Sequence, residues 1–295
     1  MYIKTILILL LLVPTRSAFG QDALCANRLA ISISGEVARG GQTVDSLLAG
    51  DAFIENFSRY INSQFNDEPG ETAADDAPYY LTEYVLKNDL PWNQLFSGPY
   101  MVVATGRNDR DAVVREDPEG LGYFRSPAWK LRYAGNEGKG VLLSMAYRIL
   151  QNTVGLVVQA ADLPPDADGS AQGRRAAGCR SCHFDSWFAL DHTASVLGTV
   201  KEERNGDRTF APPSGDPMKV LGNQEASNDK ELVEILTNSE HYRFNTCSLL
   251  FRYLYGRNVI GQEGLVFDKC MKTFAAEGRV RPALKVMAED PTYCK

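Results

Sequence analysis

Apolar and polar positions along the chain alternate in stretches of helical period broken by turn-forming segments, and this pattern gives the first outline. Arg28-Leu29-Ala30-Ile31-Ser32-Ile33 is a short apolar run that suits either a strand or the start of a helix. The period then becomes helical: Phe53, Phe57 and Ile61 fall at i, i+4 and i+8 after Thr43 and Asp45, two residues suited to helix caps. The segment from Asp67 to Asp76 is acidic and turn-rich, and reads as a solvated loop without the regular ligand offsets of a cation site. Tyr80, Leu81, Tyr84 and Val85 mark the next helix, which Pro91 stops.

From Gly98 to Gly140 the pattern is irregular, with Tyr123, Phe124, Trp129 and Tyr133 among basic residues and glycines. These aromatics read as packing beneath a long loop or at a domain junction, and Gly135, Gly138 and Gly140 as a turn. A helix over about 141–150 follows, with Leu142, Met145, Ala146 and Ile149 on one face. Turn-forming residues at 164–169 and again at 212–217 flank the next stretch. Three helices are then expected over 229–237, 242–255 and 263–276, the second stopped by Gly256, and a final short one carries Pro282 in its first turn. The fold class predicted is mostly α: a helical N-terminal region plus a second helical domain. The expected boundaries are 21–137 for the first and 138–295 for the second, behind a leader over 1–20.

Between the two turn-forming stretches stands Cys179-Arg180-Ser181-Cys182-His183, and it changes the picture from packing to chemistry. A Cys-x-x-Cys-His pentapeptide is the signature for covalent attachment of a c-type haem. Both vinyl groups lie on one edge of the porphyrin, so the two thiols must project together from about one turn of chain. The following histidine then becomes the proximal iron ligand. A dithiol redox site would need a preceding strand in a βαβ unit, and a zinc site would need a second ligand pair; the sequence supplies neither. One haem c is therefore expected, on Cys179, Cys182 and His183, and the second helical domain, 138–295, is expected to be cytochrome c-like. The motif is expected to open onto a short helix carrying Trp187, Phe188 and Leu190 toward the ring.

Haem is joined to thiols outside the cytoplasm, and the first twenty residues agree. Lys4, the apolar run Ile6 to Val13 and the small-x-small triplet Ala18-Phe19-Gly20 read as a secretory signal, too short in its apolar part to span a bilayer. Cys25 lies too far from that apolar run to read as a lipidation site. The location expected is periplasmic or secreted, with no membrane span. Removing this leader takes away Lys4 and Arg16 and no acid, making the net charge of -6 more negative still. Such a chain does not suit nucleic acid, and favours a redox partner with a basic docking face.

Four cysteines remain, Cys25, Cys247, Cys270 and Cys294, and in an oxidising compartment they can pair in three ways. Cys247 and Cys270 sit on successive predicted helices, which favours that bond and leaves Cys25 for Cys294. Unpaired buried thiols are the alternative.

The sixth iron ligand decides what the iron does. Met218, on the proline-rich segment downstream, is the candidate distal ligand, as small cytochromes c bring a methionine across the ring. His192 is too close in sequence to reach the opposite face, and His241 starts a helix. A carrier of electrons is the first reading. A peroxidase-like enzyme or small-ligand sensor is the second; it would need an acid/base group and an arginine near the iron, for which His241 with Arg243 or Arg252 are the candidates. A binding or scaffold module stabilised by haem is the third.

From residue 161 onward the order of features resembles the haem domain of large secreted planctomycete-type cytochromes, known mainly as domains of unknown function. The matching pieces are Leu163-Pro164-Pro165, the pentapeptide, Phe188-Ala189-Leu190-Asp191, Gly198, Glu231-Leu232, then Phe244, Cys247 and Tyr253 to Arg257. Leu47-Leu48 and the stretch from Tyr80 to Leu95 resemble the helical companion domain. The resemblance implies a covalent haem in a secreted helical protein, on the same three residues, and supplies no substrate.

Overall fold

The computed structural model describes residues 18–70, 72, 75–105, 111–134, 139–158, 168–202 and 208–294. The helices are α1 (Ala18–Ser34), α2 (Val44–Ala49), α3 (Asp51–Phe65), α4 (Ala77–Lys87), α5 (Gln94–Ser97), α6 (Pro127–Tyr133) and α7 (Leu143–Val154) in the first half. In the second half they are α8 (Ala177–Arg180), α9 (Leu190–Ser195), α10 (Asp229–Asn238), α11 (Glu240–Tyr255), α12 (Gly264–Glu277) and α13 (Val280–Ala288). The strands are short: β1 (Tyr100–Ala104), β2 (Ala112–Glu116), β3 (Lys139–Val141), β4 (Thr199–Glu202), β5 (Arg208–Ala211), β6 (Met218–Val220) and β7 (Gln224–Ala226). Three small antiparallel sheets result, β1-β2, β3-β4-β5 and β6-β7. The protein is mostly α.

Local chemistry accounts for the helix ends. Thr43 caps α2 by accepting the Ser46 N–H at 3.2 Å, while the Ser46 hydroxyl accepts the Thr43 N–H at 2.9 Å, so two otherwise orphaned donors are satisfied reciprocally. Gly256 ends α11 at φ 69°, a left-handed conformation that costs glycine little. Pro282 stands in the first turn of α13, where its missing N–H would have had no helical acceptor. The undecided run at Arg28–Ile33 belongs to α1.

The helices pack around α11, which contacts α1, α7, α10, α12 and α13. The predicted stripe Phe53, Phe57 and Ile61 is wholly buried on α3. Buried side chains from Ala30 to Tyr293 form one continuous core. Two disulfides tie it: Cys247 on α11 to Cys270 on α12, with Cα atoms 5.9 Å apart, and Cys25 on α1 to Cys294, 5.5 Å apart. These are the expected pairs. No helix among the described residues is long and apolar enough to cross a membrane.

Three expectations need correcting. The region read as irregular from Gly98 to Gly140 holds the β1-β2 hairpin and α6, and Gly140 lies in β3 rather than in a turn. Its aromatics are core: Phe124 and Trp129 are 5.0 Å apart, Trp129 and Tyr133 5.1 Å, and Tyr123 accepts a 2.8 Å bond from Asn152. The 67–76 loop is exposed at Asp67 to Gly70, as expected, and its described acids also bond to the protein's own donors. Asp76 accepts from Asn62, Asn66 and the Gly70 N–H, Arg132 pairs with Glu68 and Asp75, and Arg148 with Asp67. The expected leader lies, up to residue 17, outside the described residues, as do Leu163-Pro164-Pro165, Gly135 and Gly138.

Candidate haem-attachment site

The pentapeptide lies on continuous helical backbone at the surface. Gly173–Arg175 form a 3₁₀ turn, α8 follows, and Ser181–Asp185 widen into a π turn in which the Ser186 N–H reaches back to the Ser181 carbonyl at 2.8 Å. Single π turns recur at functional sites, because they turn side chains off the regular helical register. Cys179 and Cys182, three residues apart on this backbone, share a face. They are the two unpaired cysteines, Cys179 half-buried and Cys182 exposed. A 3₁₀ turn, not a strand, precedes them.

His183 points back toward α9. Its Nδ1–H donates to Asp191 Oδ2 at 2.7 Å. The same carboxylate takes Arg174 Nη2 at 2.7 Å and Nε at 3.1 Å, and Arg174 Nη1 donates at 2.6 Å to the Gly169 carbonyl. Asp191 is only 7% exposed, so its charge is stabilised by these donors rather than by water. A carboxylate only accepts, so the proton of this hydrogen bond is carried by Nδ1.

Two unusual backbone residues support this corner. Ala189, at φ 26°, turns the chain into α9, and its N–H is held by Ser186 Oγ at 3.0 Å. Leu221, at φ 36°, lies in the β6-β7 turn, whose Gly222 N–H donates to the Trp187 carbonyl at 2.7 Å. Gly198, at φ 92°, joins α9 to β4, and a Cβ there would run into the Ala211 carbonyl oxygen.

The remaining predicted residues divide. Phe188 and Leu190 are buried in the core rather than offered to a ring, while Trp187 is 40% exposed and stacks on His241 at 4.8 Å. Phe184, beside His183, lies under the Arg175 guanidinium at 4.1 Å. Met218 opens β6, next to α9, and is half-buried against the core. His192 is on α9 with its Nδ1 3.1 Å from the Lys219 carbonyl. His241 and Arg252 do not come together: they are eleven residues apart on α11, about 16 Å along its axis. Arg243 lines a separate cleft with Tyr242, Phe274 and Pro91. Sequence reasoning passed over Arg174 entirely and gave Asp191 no role. The presence of Asp191 eight residues after His183 was the available signal.

The donor set fits a covalently attached haem: two free thiols on one face, and one imidazole held through Nδ1. Among the described residues no group of three or more His, Cys, Asp or Glu side chains is placed to hold a metal ion. Fold and site together define a mostly α, doubly disulfide-bonded protein bearing a Cys-x-x-Cys-His turn at its surface. No family model, curated protein or solved structure matches the chain.

Proposed function

We propose that this protein is a secreted, single-haem c-type cytochrome that transfers electrons, with haem on Cys179 and Cys182 and His183 as proximal ligand. The observation that carries the reading is the combination of two unpaired thiols on one face with an imidazole whose Nδ1 is held by Asp191. Bound there, haem c supplies a one-electron Fe(II)/Fe(III) couple. The chain's own part is to hold the imidazole at one angle and to provide the thiols. The two disulfides agree with an oxidising compartment, and the net charge of -6 with a partner whose docking face is basic. The resemblance to planctomycete-type haem domains points the same way.

A second reading, an open sixth position serving small-ligand or peroxide chemistry, draws on Met218. That side chain is packed against the core, which suits an ordinary structural methionine better than a distal ligand. One experiment addresses both. The exported protein is purified, its mass measured, and absorption recorded oxidised and reduced, with and without carbon monoxide, beside Met218→Ala. Covalent haem with low-spin bands indifferent to carbon monoxide, lost in the variant, supports the carrier. Covalent haem with a high-spin spectrum that shifts with carbon monoxide, unchanged in the variant, moves the assignment to the second reading. A mass with no haem adduct would overturn both.

A further inference from the structure

The Arg174–Asp191 pair offers more than an anchor for a ring. Three N–H groups converge on one buried carboxylate, and they are unequally placed: Arg174 Nη2 takes Oδ1 at 2.7 Å, His183 Nδ1 takes Oδ2 at 2.7 Å, and Arg174 Nε lies 3.1 Å from both oxygens. Arg174 is itself largely buried and fixed by the Gly169 carbonyl. In such surroundings each charge acts strongly on its neighbours, since little water screens it.

We propose that Asp191 and Arg174 grade the electron-donating strength of His183 in opposite senses, and so set the potential of the iron it holds. This inference rests on the haem reading above. The pull of an acceptor on Nδ1–H increases with its negative charge, and a stronger pull makes Nε2 a better donor to iron, stabilising Fe(III). Asp191 supplies that pull. Arg174 shares the same carboxylate and weakens it. Neither residue reaches the iron; both act through His183 as positioning residues. A merely structural strut would behave differently, because loosening either end of it would disturb the imidazole in the same way.

The sign of the shift is therefore the test. Midpoint potentials of the haem-loaded wild type, Asp191→Asn, Arg174→Gln and Arg174→Lys are measured by spectroelectrochemistry, with covalent haem content checked by mass. Asp191→Asn is expected to raise the potential, Arg174→Gln to lower it, and Arg174→Lys, which keeps the charge, to lie near wild type. Should Asp191→Asn not be recovered folded, Arg174→Gln decides by its sign alone. Haem-loaded variants that shift in the same direction, or not at all, overturn the inference while leaving the cytochrome reading intact. A wild type that carries no covalent haem sinks the reading and the inference together.

Discussion

The layer formed by α11, α12 and α13 and the surface segment from Gly169 to Asp185 are stabilised by opposite means. In the first, Cys247, Cys270, Phe251, Leu284 and Met287 are fully buried, and a disulfide joins two helices that already pack together. In the second, α8 has four residues and buries none of its side chains, and the segment is fixed by the polar clamp from Gly169 through Arg174 and Asp191 to His183. Two cysteines, Cys247 and Cys270, belong to the layer that completes its own core, while the Cys25–Cys294 bond ties α1 to the chain beyond α13. The other two stand on the segment that completes none, where apolar contact would have to come from a bound group.

The sharpest way to break this contrast is to remove each kind of cysteine in the haem-free protein. Replacing Cys247 and Cys270 together by alanine opens a 23-residue separation. It is expected to cost about 3 kcal/mol, chiefly by freeing the unfolded chain. Replacing Cys179 and Cys182 by alanine touches no core and should stay within about 0.5 kcal/mol. Urea unfolding followed by circular dichroism reads both. If the motif variant were as destabilised as the bridge variant, the two regions would not differ in the way described.

Beneath the exposed segment the backbone is closely packed at Gly198, and a substitution there tests how far it gives. At φ 92°, with the Ala211 carbonyl where a side chain would go, it admits no Cβ without displacing the β4-β5 pairing. Gly198→Ala is expected to cost more than about 1 kcal/mol. An unchanged urea midpoint would mean that this connection yields to a side chain.

The same contrast explains which parts could be read from residues alone. Helices α3, α4, α7 and α10 to α13 announce themselves through apolar stripes of helical period and, for α11 and α13, through Gly256 and Pro282, because there the core-facing side chains are neighbours along one element; Thr43, read with the α3 stripe, instead caps the separate short helix α2. The bond between Cys247 and Cys270 was legible for the same reason, as successive helices tend to lie side by side. The β1-β2 hairpin was not: Tyr100–Ala104 and Ala112–Glu116 lack a sustained two-residue alternation, with Met101 and Val113 both exposed. Cys179, Cys182 and His183 stand out in the sequence because attachment of a haem would require that spacing. Arg174 and Asp191 do not, since they stand seventeen positions apart with a π turn and the strained Ala189 between them, and no periodicity links a guanidinium to a carboxylate across such a path.

The smallest effect expected belongs to the polar end of the self-sufficient layer. Asp290 accepts from Lys269 Nζ at 2.7 Å and from the Thr292 N–H and hydroxyl at 3.0 and 2.6 Å. The Lys269 ammonium, and then the Thr292 donors, hold its carboxyl well below the ordinary 3.8, at about 2. A carboxylate whose folded pKa lies below its unfolded one stabilises the fold while ionised, and that contribution is lost as it takes up a proton. For Asp290 the contribution is complete above about pH 4 and disappears as pH falls toward 2. Lys269 is half-exposed, so solvent screens the pair and keeps the effect modest. Asp290→Asn should therefore be somewhat less stable than wild type at pH 5 and lose less on acidification. Urea midpoints at half-unit steps from pH 5 to pH 2 give the difference between the two proteins, in which other carboxylates cancel. A constant difference across that range would show that Asp290 contributes nothing through its charge, and that the layer is held at this end, too, by its buried apolar face alone.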